Sequence, residues 1–163
     1  MRTIFLITII SVSFFQTSSA TEPIAVPATT AKEMEQLLTS MISPTEAWKH
    51  RHFLYPGAPN ADKAEVEEAK KQLTKYHDDC LKLRALLKVG TSVLAYPGLI
   101  AHGEITYYPS QINYFSATDN KTPSVPVYHL YVGLKPSRGP QNFNIIFGTD
   151  GVIHEILTVE SKY

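Results

Sequence analysis

Residues 62–90 read DKAEVEEAKKQLTKYHDDCLKLRALLKVG, and the change of pattern where they end decides the fold class. Val66, Ala69, Leu73, Tyr76, Cys80, Leu83 and Leu87 follow one another at alternating steps of three and four, which sets them on one side of an α-helix. Asp62 and Glu65 have the spacing of a capping box, and Gly90 is the kind of residue at which helices stop. The spacing predicts a helix of about 25 residues, ~38 Å long at ~1.5 Å per residue. Beyond Gly90 the apolar period falls to two. Val127 to Leu134 is the plainest strand, with Tyr128, Leu130, Val132 and Leu134 on one face and Val127, His129 and Tyr131 on the other. Phe143–Phe147 and Val152–Val159 read as a hairpin across Gly148-Thr149-Asp150-Gly151. Gly103–Tyr108 and Ile112–Phe115 read as strands broken by Pro109, while Thr118 to Pro126 and Pro136 to Pro140 read as loops.

Upstream of the long helix, Thr30-Ala31-Lys32-Glu33 has capping-box spacing, and Met34, Leu37, Leu38, Met41 and Ile42 then mark one side of a first helix. Ser43-Pro44-Thr45-Glu46 starts a second, short helix that runs through Trp48 to about Phe53. Tyr55 to Asn60, with two prolines and a glycine, is a loop. Helices first and an antiparallel meander of about four to five strands afterwards make an α+β domain, the helices packed on the sheet. This order resembles the cystatin-like and NTF2-like architecture, a resemblance that implies a curved sheet able to enclose a cavity. The hairpin from Phe143 to Ile156 is similar to the closing hairpin of the BamE outer-membrane assembly proteins, without that family's Gly-x-Pro segment.

Met1 to Ala20 has a different build. Arg2 precedes an apolar run from Ile4 to Phe15, and Ser18-Ser19-Ala20 is a small-x-small cleavage site. That is the pattern of a secretory signal peptide, and the run is too short for a permanent membrane anchor. The expected location is secreted or periplasmic, with a flexible lead-in at 21–29, a single domain at 30–163 and no membrane span in the mature form. The whole chain has 15 basic and 15 acidic residues. Without a net charge or a Lys/Arg cluster it has no field with which to gather nucleic acid. Cys80 is the one cysteine, so no intrachain disulfide can form and stability must come from a packed core.

The chemistry-bearing residues form no recognised catalytic pattern. His50-x-His52 could share a face only in an extended chain and falls at a helix end, and in His77-Asp78-Asp79-Cys80 neighbouring helical residues diverge by ~100°, so neither has the spacing of a metal motif. No Gly-x-Ser-x-Gly elbow, phosphate-binding glycine loop or cofactor motif occurs. Glu65, Glu67 and Glu68 sit in an early helical turn, where acids suit the helix dipole. Asn120-Lys121-Thr122 fits a glycosylation acceptor but is followed by Pro123. One constellation stands out: His129 and Tyr131 on the strand face opposite Leu130, to which adjacent strands could add Tyr107 or His154. It could hold a small ligand by hydrogen bonds. The leading expectation is a non-enzymatic protein that binds a small molecule or an envelope protein through the sheet face. The alternatives are an NTF2-like cavity enzyme with His129 as acid/base, and a homodimer joined through the long helix. Each needs a different feature: an exposed aromatic sheet face, a cavity containing His129, or Leu73, Tyr76 and Leu83 uncovered in the monomer.

Overall fold

A computed structural model describes residues 22–54, 62–111, 125–135 and 137–159. The leader at 1–20, the Tyr55–Asn60 loop, the Ile112–Phe115 strand and most of the Thr118–Pro126 loop, with Asn120, lie outside these residues. Three helices come first: α1 (Ala28–Ser40), α2 (Pro44–His52) and α3 (Lys63–Leu86). Two 3-10 turns, Val93–Ala95 and Leu99–His102, lead into strands β1 (Gly103–Gln111), β2 (Val125–Val132), β3 (Gly139–Gly148) and β4 (Ile153–Val159). The strands form one antiparallel sheet in the order β1-β2-β3-β4. The α+β class follows.

Local signals explain most of these elements. The α3 start carries the capping box, Asp62 accepting from the Glu65 amide at 2.8 Å and Glu65 accepting from the Asp62 amide at 3.0 Å. Ser43 caps α2 by accepting from the Glu46 amide at 3.1 Å, with Pro44 as the first helical residue. The β3–β4 turn is closed by Gly148 donating to the Val152 carbonyl, and by Asp150 accepting from the Val152 amide, both at 3.0 Å.

Four expectations need correction. Thr30 does not cap α1; the helix starts at Ala28 with Pro27 before it and no side-chain cap. The chain ahead of it is held from outside, since Ile24 donates to the Gly90 carbonyl at 2.8 Å and Val26 packs on the core. Gly90 does not end α3, whose cap is Leu87; at φ 84° it turns the chain so that its own amide reaches the Ile153 carbonyl at 2.8 Å. Pro109 does not break β1. It falls in a register shift between Tyr108 and Gln111 on an edge strand, where a missing N–H is tolerated. Pro126, expected in a loop, lies inside β2 opposite that same irregular stretch.

Residues paired across strands share a face. The helix-side face carries Leu130 between Ile105 and Ile145, Val132 between Gly103 and Phe143, and Tyr128 between Tyr107 and Phe147. Leu130, Val132, Phe143, Ile145 and Phe147 are buried with Met34 and Leu38 of α1 and Tyr76, Cys80 and Leu83 of α3. A homodimer seam on α3 would use this same stripe, and the monomer already encloses it: Tyr76 and Leu83 are fully buried and Leu73 packs on the core. Asp79, also buried, is matched by Lys75 at 2.6 Å and Lys82 at 3.3 Å. Cys80 is fully buried in this core, and burial pushes its thiol up to about 12, as suits a packing residue. Among the described residues no helix is long and apolar enough to cross a membrane.

Candidate functional site

The four nominated residues divide between the two faces of the sheet. His129 lies opposite Thr106 and Ile146, and Tyr131 opposite Glu104 and Asn144, both on the face away from Leu130. Tyr107 pairs with Tyr128 and is therefore on the helix side, its ring 5.0 Å from that of Tyr128. His154 occupies the register shift of β4, with its Nε2 close to where a side chain on Gly148 would begin. It is thus near the β3–β4 turn, and the four residues do not converge on one ligand-sized space.

His129 is a packed cross-strand residue. The Tyr108 ring covers it at 4.6 Å between centroids, and its Nε2 has no hydrogen-bond partner among the described residues. Burial lowers its pKa, with Glu155 acting weakly the other way. Among the described residues it does not line the groove beside α2, the hollow at the start of α3 or the hollow beside α1. His77, lowered by burial and then by the Arg51 charge, and His102, lowered by burial, behave alike. In each case the folded state holds the proton less well than the unfolded chain, whose value is 6.5. The unfolded chain therefore carries more protons as pH falls below that value, and the stability present above it is lost on acidification. The urea midpoint should be lower at about pH 5 than at about pH 8, with His77→Gln and His102→Gln each reducing the difference. A midpoint that stays level would show that these rings are not held neutral by the fold.

Two surfaces do expose recognition chemistry. The first is β1. Among the described residues it is an edge of the sheet, and α3 meets the sheet mainly at β3, so the described helices leave β1 uncovered. Ile105 is 42% exposed and Tyr107 50% on the helix side, and Tyr108 is 43% exposed on the other side. Ile100, in the turn before β1, adds a further exposed apolar side chain. A row of edge backbone groups flanked by alternating apolar side chains is a template for another extended chain.

The second surface is a groove of about 440 Å³ between the start of α2 and the adjoining ends of β1 and β2. Trp48 of α2 and Tyr131 of β2 contribute rings, while Glu104 and Lys135 contribute an ion pair at 3.2 Å. Tyr131 donates to the Ser137 carbonyl at 3.4 Å, and the Lys135 ammonium sits 4.8 Å from its ring centre. Burial raises the Tyr131 pKa, so the phenol stays protonated. Arg51 lies 5.3 Å from the Trp48 ring centre and donates to the Lys135 carbonyl at 3.5 Å, linking the two walls. Sequence reasoning nominated Tyr131 but missed Trp48. The available signal was a tryptophan on a helix without an apolar stripe: only Ala47 of α2 is buried.

Among the described residues no three His, Cys, Asp or Glu side chains gather as a metal centre. Compared with family models, with curated proteins and with solved structures, the chain has no match in any of the three.

Proposed function

We propose that this is a non-enzymatic binding protein, secreted or periplasmic, whose partner adds an extended segment along β1. The observation that carries the reading is the uncovered edge strand with Ile105, Tyr107 and Tyr108 half exposed. Covering the exposed part of each such side chain would contribute on the order of 1 kcal/mol, and backbone pairing along the edge would set direction and register. The signal-peptide pattern of residues 1–20 supports the location. Helices followed by a four-stranded antiparallel meander support an architecture of the cystatin-like or NTF2-like kind. The cavity-enzyme alternative has less support, because the Tyr108 ring packs on His129 at 4.6 Å between centroids.

The test is site-specific photocrosslinking in the cell of origin, with p-benzoylphenylalanine in place of Tyr107 and, as a control, in place of Leu81, which is exposed on α3. The expected result is one discrete heterologous adduct from position 107, none from position 81, and loss of the adduct when Ile105→Glu is added. Equal adducts from both positions, no adduct from 107, or only an adduct of two copies of this chain would overturn the proposal.

A further inference from the structure

The α2 groove is separate from the β1 edge, and its chemistry selects a different ligand. Trp48 is the chain's one tryptophan and is 43% exposed. An indole left open on a short helix does nothing for the core, but it offers a flat apolar plate. The groove also has polar lining: Thr45 on the same helix, and Glu104 and Lys135 from the strand ends. Glu104 and Lys135 are already paired with each other, so an ionic ligand would have to separate them to pair with either one. A neutral ligand with adjacent hydroxyls fits without that loss. One hydroxyl can donate to the Glu104 carboxylate while its neighbour accepts from the Lys135 ammonium. Ala101, Gly103 and Gly133 also line the groove, and their small size lets a ring approach the backbone. A volume of about 440 Å³ lies within the usual range for small-ligand sites.

We infer that this groove binds a neutral saccharide unit, a pyranose ring stacked on Trp48 with a vicinal diol held between Glu104 and Lys135. The walls are already joined through Arg51 and the Lys135 carbonyl, so little ordering is needed on binding. Because Trp48 is the sole tryptophan, its emission reports on the groove directly.

The experiment titrates the full mature chain with four neutral sugars, methyl glucoside, lactose, cellobiose and N,N′-diacetylchitobiose, and with glucuronate and glucosamine as charged controls, following Trp48 emission and saturation-transfer NMR of the sugar. The expected result is a saturable emission change with at least one sugar, together with transfer to the protons of one ring face. Trp48→Ala should abolish the transfer signal, and Glu104→Gln and Lys135→Met should each weaken binding about tenfold or more. All three positions are exposed, and unchanged circular dichroism separates lost binding from lost folding. Three outcomes would overturn the inference: no response to any of the four sugars, a response that survives Trp48→Ala, or tighter binding of glucuronate or glucosamine than of the neutral sugars.

Discussion

Leu83→Asp should abolish folding of the monomer. Leu83 is fully buried in α3 among Tyr76, Cys80 and sheet residues such as Leu130 and Phe143. A carboxylate placed there loses its hydration without gaining a cation, at a cost of several kcal/mol in either protonation state. A domain of this size has only ~5–15 kcal/mol of stability in total. Asp79, one turn earlier, shows the contrast: it is buried and tolerated because Lys75 and Lys82 reach it from the helix surface. The readout is loss of the cooperative thermal transition and of the near-ultraviolet circular dichroism. A variant that folds as the parent does would show that Leu83 is not enclosed in this way, and the core described above would be wrong.

Gly133→Ala should destabilise the protein by about 3 kcal/mol or more. Gly133 has φ 115°, where a side chain is strained, and a Cβ there would run into the Oδ1 of Asn142. Asn142 cannot give way cheaply, because it is fully buried and its Oδ1 accepts from the Leu134 amide at 2.8 Å. Moving it would leave that buried amide unpaired, which by itself costs ~1–3 kcal/mol. Urea unfolding measures the loss, and the double variant with Asn142→Ala should be less destabilised than the two single losses added together, since the clash is then absent. Strictly additive losses would show that the collision does not control this turn. Gly133 also lines the α2 groove, so the same turn shapes that groove.

The parts of the fold that were legible are those written in contiguous residues. Asp62 with Glu65, Ser43 with Pro44 and Glu46, and the Gly148–Gly151 turn act through hydrogen bonds a few residues long, and the structure reproduces them. The α3 stripe and the alternation of β2 were legible for the same reason, since 3.6-residue and two-residue periods set which side chains share a side. Thr30 misled because it has a local capping pattern, but the start of α1 is held by Ile24 and Val26 acting on distant partners. Pro109 misled because its cost depends on strand position, which a single strand does not reveal.

The sites show the same division. That His129 and Tyr131 share a face was determined by the sequence alone, through strand periodicity. That Tyr107 is on the opposite face was decided by cross-strand register, which sets it beside Tyr128. That β1 is open among the described residues was decided by where α3 crosses the sheet, and that Trp48 shares a groove with Glu104 and Lys135 was decided by how α2 packs on α3 beside the strand ends. Periodicity and capping arise from bonds within one segment, so the sequence alone determines them. Register, edges and grooves arise from packing between segments far apart in the chain, and only the tertiary structure places them.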